Sequence, residues 1–115
     1  MILLIFDKQE KMRVIIEDEY LKVLYQNGYS SGNPKYNKDI ELKFIARVTQ
    51  MEKAINTNDL RALKSLCFEK LSGKLKDKYS IRVNDAFRII LRVEKDGNNV
   101  RLEIICIEEL SNHYS

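Results

Sequence analysis

The residues of this sequence best suited to chemistry are three arginines in the stretch YSIRVNDAFRIILRV, residues 79–93. Apolar and polar residues alternate on either side of a turn at 84–86, which predicts two paired strands. The apolar face of this hairpin consists of Ile81, Val83, Phe87, Ile89, Leu91 and Val93. The opposite face carries Arg82, Arg88 and Arg92. Such a face can bind an anion, because guanidinium groups hold phosphate and carboxylate through paired hydrogen bonds.

The spacing of Arg82 and Arg88 does not by itself say which anion they hold. Both are expected near the turn on the same face of neighbouring strands, where two like charges repel each other unless an anion lies between them. One interpretation is structural, with Glu103 or Glu108 pairing with them across the sheet. The other is functional, with the pair binding a phosphate group. The residues alone leave both interpretations open.

Charge is unevenly distributed along the chain, although the net charge is only +3. Residues 1–60 contain nine basic and nine acidic side chains, whereas residues 64–88 contain seven basic and three acidic ones, a local charge of +4. The lysines of this basic segment are Lys64, Lys70, Lys74, Lys76 and Lys78. A basic cluster beside aromatic residues favours a polyanionic partner such as RNA or DNA. A solvated lysine-rich loop would have the same composition.

Other catalytic and metal-binding patterns are missing from the sequence. It contains no glycine-rich phosphate loop, GxSxG motif or HExxH motif. One histidine and two cysteines without a CxxC spacing argue against zinc. Cys67 and Cys106 stand in apolar surroundings and are predicted to be buried, reduced thiols. Glu108 and Glu109 are adjacent in a predicted strand and would point to opposite faces, so they form a poor acid–base pair.

The expected location of the protein is the cytoplasm. No apolar run approaches the roughly 20 residues needed to span a bilayer. The opening MILLIF is short, and acidic residues follow it at once. It lacks the basic start, long apolar run and cleavage site of a signal peptide.

The order of the elements predicts an α+β fold. A first strand is expected around RVII, followed by a short helix in EDEYLKVLYQNG, residues 17–28, that Asp18 or a neighbour caps and Gly28 ends. A long helix over 39–56 has an apolar stripe of Ile40, Phe44, Val48, Met51 and Ile55. A short helix starts at Thr57 or Asn58, and a mixed strand and basic loop leads into the hairpin. The last strand, VRLEIICIEE, is apolar on both faces, which is typical of a strand inside a sheet.

The hairpin and the segments around it show a resemblance to a known family. The segment FEKLSGKLKDKYSIRVNDAFRIILRV, with the apolar strand that follows and the ending ELSNHYS, resembles the HigB-like, plasmid-maintenance-killer branch of the RelE/ParE toxin superfamily. The typical pattern there is K-L-x-G, then Y-S-I-R-[IV]-N-x-x-[YFW]-R-[IL], then a strand ending in a His- and Tyr-bearing tail. RVIIEDEYLKVLYQNG, the NPKY loop and the long helix are similar to the helical half of these toxins.

The resemblance covers residues 12–115, which we take as a single toxin domain. Residues 1–11 form an N-terminal extension, either an added strand or the product of a start codon assigned too early, with Met12 the true start. The implied fold is the RelE-like, microbial-ribonuclease-like α+β fold, in which an N-terminal strand and two to three helices pack on a twisted, mainly antiparallel sheet of about four strands.

The resemblance implies a type II toxin that cleaves mRNA on the translating ribosome and so inhibits translation. Attack by a ribose 2′-OH on the adjacent phosphate would require no metal or cofactor. The expected partners are mRNA, the ribosome and a HigA-like helix-turn-helix antitoxin. Two alternatives remain at this point: a ParE-like toxin that inhibits DNA gyrase without nuclease activity, and a degenerate module that only binds its antitoxin.

The matching positions imply roles for individual residues. Arg82 and Arg88 would hold the scissile phosphate, and His113 or Tyr114 would assist proton transfer or stack on a base. Arg92 matches nothing catalytic and is expected to be exposed or ion-paired. The residues expected to contact RNA are Lys70, Lys74, Lys76, Lys78, Ser80 and Asn84. The chain departs from the family in two places: Ser80 stands where some relatives have lysine, and the tail order is Asn112-His113-Tyr114 where many members have Asp-Tyr-His.

Overall fold

The structure, a computed structural model, describes residues 11–30, 32–97 and 99–112. Of the expected N-terminal extension, only Lys11 lies within these ranges. The strands are β1 Arg13–Ile16, β2 Glu69–Lys70, β3 Tyr79–Arg82, β4 Arg88–Asp96 and β5 Asn99–Ser111. The α-helices are α1 Glu19–Asn27, α2 Lys38–Lys53 and α3 Thr57–Ala62, and short 3-10 turns occupy Lys64–Leu66 and Gly73–Leu75.

The described strands form one mixed sheet in the order β1-β5-β4-β3-β2. β1 pairs with β5 in parallel, and the other neighbours are antiparallel. The α+β class and the hairpin are therefore confirmed, as is the place of β5 inside the sheet. The sheet has five strands where about four were expected, because the two residues of β2 add an edge strand to β3.

Helix α1 begins and ends where the sequence predicts. The Asp18 carboxylate accepts a hydrogen bond from the Leu21 amide at 2.9 Å, and Gly28 ends the helix at a φ of +83°. That left-handed conformation favours glycine, because a Cβ atom makes it costly for other residues. Local capping chemistry thus sets both ends of α1.

The end of α2 differs from the prediction. The helix stops at Lys53, and Ile55 is 37% exposed instead of completing the apolar stripe. Its amide donates to the Asp59 carboxylate at 2.8 Å, while its carbonyl accepts from the Met12 amide at 3.0 Å. These contacts replace a further helical turn. The cap of α3 is likewise Asn56, not Thr57 or Asn58.

The core lies between the helices and one face of the sheet. The four helical positions Ile40, Phe44, Val48 and Met51 are buried, as the stripe predicts. The sheet contributes Ile81, Val83, Ile89, Leu91, Ile105, Ile107 and Leu110. None of the helices in the described part of the chain is long and apolar enough to cross a membrane.

The two cysteines differ from each other. Cys106 is buried as expected, but Cys67 is exposed, which contradicts the prediction. Cys67 ends the first 3-10 turn with a φ of +46°, a left-handed conformation that is rare outside glycine. An apolar sequence neighbourhood does not reveal such a turn.

A β-bulge in β5 determines the position of Glu108. Ile90 pairs with Glu109 and Leu91 pairs with Ile107, so Glu108 is the extra residue of the bulge. Ile107 and Leu110 both pack in the core, which strict alternation would not allow. The bulge therefore shifts the alternation of β5 by one residue at this end of the sheet.

Glu103 makes part of the protein's stability dependent on pH. Its carboxylate accepts hydrogen bonds from the Thr57 amide at 2.7 Å and the Thr57 hydroxyl at 3.0 Å, and pairs with Lys95 at 3.2 Å. Burial alone would raise the pKa of Glu103, but these contacts outweigh it and hold the pKa below its ordinary value of 4.5. The charged form is thus favoured by folding. Its contribution is present above the ordinary pKa and is lost as the pH falls through the lower pKa of the folded protein.

We expect Glu103→Gln to be less stable than the wild type near neutral pH. The difference in free energy of unfolding should begin to shrink as the pH falls below about 4.5, where the carboxylate of the unfolded chain takes up a proton, and should be smallest once the carboxylate of the folded protein is also neutral. Urea unfolding of both proteins at a series of pH values measures this difference. A difference that stays constant down to about pH 3 would contradict the linkage.

Candidate active site

Arg82 and Arg88 face each other on the sheet surface opposite the helices. They are direct partners in the antiparallel β3–β4 pair, at the ends next to the connecting loop. Alternation places Ile81 and Ile89, the neighbouring pair, in the core, so the two arginines project away from it. The predicted pairing of the two guanidinium groups on one face is therefore correct.

Arg88 is held in a defined position. Its Nη1 donates to the Ser80 hydroxyl at 3.1 Å and to the Cys67 carbonyl at 3.5 Å, and lies 3.5 Å from a carboxylate oxygen of Glu69. The Arg88 side chain is only 15% exposed. Glu69 belongs to the edge strand β2, and Cys67 precedes that strand by two residues, so Arg88 reaches from β4 across β3 to this edge of the sheet. A guanidinium fixed in this way is preorganised to bind an anion.

Arg82 is more exposed and is anchored mainly through its backbone. Its carbonyl accepts a hydrogen bond from Arg47 Nε of α2 at 3.0 Å, and its guanidinium pairs with Asp85. The Asp85 side chain is 94% exposed, so solvent or a ligand can displace it. Asn84 accepts hydrogen bonds from the Ala86 and Phe87 amides at 2.9 and 2.7 Å and so shapes the loop between the two arginines.

The carboxylates considered as structural partners of this pair are bound elsewhere. Glu103 contacts Thr57 and Lys95, and Glu108 contacts Lys78 and Arg92. Within the described part of the chain, the carboxylates found beside Arg82 and Arg88 are those of Asp85 and Glu69, which are both mostly exposed. Such partners can yield to a phosphate group.

Arg92 lies on the same strand as Arg88 but has a different environment. It donates to Glu17 at 2.8 Å, Glu94 at 2.6 Å and Glu108 at 3.0 Å. Hydrogen bonds to these three carboxylates raise the pKa of Arg92, and the Arg92 hydrogen bond lowers the pKa of Glu17. The expectation that Arg92 is ion-paired is correct. Carboxylates of the protein itself balance its positive charge.

The residues expected to contact RNA occupy different environments. Lys70, Lys74 and Lys76 are exposed, whereas Lys78 is half-buried and pairs with Glu108. Ser80 is completely buried beneath Arg88. Ser80 therefore positions Arg88 and has no surface in this structure to offer to RNA. His113 and Tyr114 lie outside the described residues.

Sequence reasoning overlooked Glu69. In the sequence it is one of the three acidic residues of the basic segment, and nothing marks it out, yet its carboxylate lies beside Arg88 and its backbone pairs with Ser80. The signal is the pairing of β2 with β3, which brings residue 69 next to residue 80. A two-residue strand is too short to be recognised from alternation.

The described residues offer no cluster of three or more His, Cys, Asp or Glu side chains that could hold a metal ion. The groups present are two guanidinium groups, two displaceable carboxylates and nearby lysine side chains. This set can bind a phosphodiester, compensate negative charge that develops on it and accept a proton beside it.

Comparisons with known proteins agree with the fold. A family model described as the RelE-like toxin of type II toxin–antitoxin system HigB matches residues 15–105, a range that includes both arginines and Glu69. No curated protein matches the chain. Among solved structures, a YoeB/ParE toxin from Agrobacterium tumefaciens superposes with a TM-score of 0.55 at 14% identity, over 90% of this chain and 100% of that one.

Proposed function

Because the chain belongs to the HigB-like family of RelE-like toxins of type II toxin–antitoxin systems, we propose that it is a metal-independent endoribonuclease that cleaves mRNA on the translating ribosome. One observation carries this proposal: Arg82 and Arg88 face each other beside the displaceable carboxylate of Glu69. This arrangement combines a clamp for a phosphodiester with a group that can accept a proton.

In the proposed reaction, a phosphate of the mRNA replaces Asp85 and Glu69 as the partner of the two arginines. The adjacent ribose 2′-OH gives its proton to the Glu69 carboxylate, and the 2′ oxygen forms a bond to phosphorus. The bond from phosphorus to the 5′ oxygen breaks, and His113 or Tyr114 protonates the leaving oxygen. The products are a 2′,3′-cyclic phosphate and a 5′-hydroxyl end.

The two arginines would stabilise the transition state. Negative charge grows on the non-bridging oxygens as the 2′ oxygen attacks, and preorganised donors aimed at those oxygens lower the barrier. Arg88 is the better fixed of the two because it contacts Ser80, Cys67 and Glu69. Arg82 would bind the same phosphate from the neighbouring β-strand, β3.

A type II toxin has an antitoxin partner, and we propose that this one is a HigA-like helix-turn-helix protein. We also propose that the toxin acts in the cytoplasm, where ribosomes translate mRNA. A neighbouring reading frame with a helix-turn-helix pattern is the expected genetic sign of this partner.

Induction of the toxin in cells tests the proposed activity. We expect growth arrest and new 5′ ends inside translated reading frames, mapped by primer extension. A reporter transcript whose start codon has been removed is the matched control, and it should stay intact because ribosomes do not translate it. Intact transcripts together with a DNA-damage response would instead indicate gyrase inhibition.

A further inference from the structure

The rings of Phe68 and Tyr79 and the guanidinium group of Arg61 form a stack at the β2 edge of the sheet, on the side that faces the core. The rings of Phe68 and Tyr79 are parallel within 2°, with their centroids 5.1 Å apart. The guanidinium carbon of Arg61 lies 5.2 Å from the centroid of the Phe68 ring. The aromatic pair packs against the core, so burial explains it. Burial does not explain Arg61, which is exposed.

Two hydrogen bonds hold the guanidinium group of Arg61 over the aromatic ring of Phe68. Its Nη1 donates to the Thr57 hydroxyl at 3.3 Å and to the Asn58 side-chain oxygen at 3.1 Å. Thr57 is itself buried and bound to Glu103. An exposed arginine normally samples many rotamers, and here these contacts restrict it, so less side-chain entropy is lost when a ligand binds.

The stack is close to the proposed site along the chain. Phe68 lies between Cys67, whose carbonyl accepts from Arg88, and Glu69, whose carboxylate pairs with Arg88. By alternation Phe68 and Glu69 point to opposite sides of the sheet edge. The exposed Lys70 is the strand partner of Tyr79, on the same edge. An RNA strand that is bound at Arg82 and Arg88 and continues over the β2 edge of the sheet would contact first Lys70 and then Arg61.

We propose that Arg61 is a stacking platform for one nucleobase of the mRNA, next to the nucleotides joined by the cleaved bond. The inference rests on the proposed nuclease function. Arg61 donates to Thr57 and Asn58 through one nitrogen, Nη1, and the rest of its planar guanidinium group is the part suited to a ligand. Guanidinium planes and aromatic rings are the groups on which unpaired RNA bases stack in proteins. Stacking depends on the plane of the side chain, not only on its charge.

Cleavage of synthetic mRNA on programmed ribosomes tests the platform. Abasic nucleotides are placed one at a time around the cleaved bond, and the single-turnover cleavage rate at subsaturating toxin is measured. For the wild type, we expect one abasic position to lower the rate about 10-fold, within the range of base–aromatic stacking. Arg61→Lys, which keeps the charge but lacks the plane, should cleave intact mRNA about 10-fold more slowly and lose nothing further at that abasic position.

Arg13→Lys is the matched control, because Arg13 is an exposed arginine on β1 at the opposite edge of the sheet. It should retain both the wild-type rate and the wild-type abasic penalty, and thermal unfolding would verify that each variant is folded. A full abasic penalty in Arg61→Lys would overturn the platform while leaving the nuclease function in place. A wild type that cleaves no mRNA on ribosomes would overturn both.

Discussion

Replacement of Arg88 by alanine is expected to lower the rate of mRNA cleavage by about 10²- to 10³-fold, the usual effect of losing one preorganised charge-stabilising donor. Arg88 is the most firmly held cation of the site, through Ser80, Cys67 and Glu69. Loss of its side chain removes the donor itself and leaves Glu69 without its positive partner. The remaining Arg82 would then bind a phosphate from one side only.

Single-turnover cleavage on programmed ribosomes measures the effect, and growth after induction gives an independent test in cells. Arg88→Lys separates charge from geometry: it should recover part of the lost rate, because lysine keeps the charge but cannot donate in a planar fork. Arg92→Ala is the matched control on the same strand. It should reduce stability, because Glu17, Glu94 and Glu108 lose their shared partner, while the cleavage rate stays near that of the wild type.

Comparison of the cleavage rates of Arg88→Ala and Arg92→Ala shows whether the effect is specific to the proposed phosphate clamp. If Arg88→Ala still cleaves within a few-fold of the wild-type rate, the phosphate clamp is wrong. If Arg92→Ala loses as much as Arg88→Ala while remaining folded, the site extends along the strand and the distinction between the arginines fails. Growth inhibition that is unchanged in Arg88→Ala would point to binding of another target.

The parts of the fold that depend on local chemistry could be predicted from the sequence. Alternation with a period of two assigns Ile81 and Ile89 to the core, and it makes Arg82 and Arg88 neighbours on the other face. Capping chemistry similarly identifies both ends of α1. These features are encoded within a few consecutive residues, so no distant contact is needed to infer them.

Features that depend on distant contacts could not be predicted in this way. Ile55 leaves the apolar stripe because its backbone bonds to Met12 and Asp59. Cys67 is exposed because of one left-handed turn. The role of Glu69 becomes visible only when β2 pairs with β3, eleven positions along the chain from residue 69 to residue 80. The contacts of Ile55 with Met12 and of Glu69 with Ser80 join segments that local pattern treats separately, whereas the left-handed turn at Cys67 is local but has no glycine to reveal it.

Alternation also groups Arg92 with Arg82 and Arg88, although their environments differ. The three have the same residue type and the same predicted face, so pattern alone treats them as one set. The β5 bulge places Glu108 between Lys78 and Arg92, where it accepts from both. The positive charge of Arg92 is thereby balanced by carboxylates within the protein. The carboxylates that the described residues place beside Arg82 and Arg88, at the loop end, are exposed, so a phosphate can replace them.

Replacement of Glu69 by glutamine is expected to lower the maximal cleavage rate without weakening RNA binding. Glutamine has nearly the same shape but cannot accept the 2′-OH proton, so the cleavage rate at saturating toxin should fall by about 10²- to 10⁴-fold, the usual contribution of a general base. The same change removes the carboxylate that competes with phosphate for Arg88, 3.5 Å away. The toxin concentration required for half-maximal rate should therefore stay the same or decrease.

The dependence of the single-turnover rate on toxin concentration separates these two effects, because it yields the maximal rate and the half-saturating concentration independently. Asp85→Asn is the matched control: it removes the competing carboxylate from Arg82 at a side chain that is 94% exposed. It should lower the half-saturating concentration without lowering the maximal rate.

A Glu69→Gln protein with the wild-type maximal rate would show that Glu69 only occupies Arg88 in the absence of RNA, and the base would then be sought in His113 or Tyr114. A Glu69→Gln protein with a low maximal rate and unimpaired binding would assign proton acceptance to β2 and leave protonation of the 5′ oxygen to the tail.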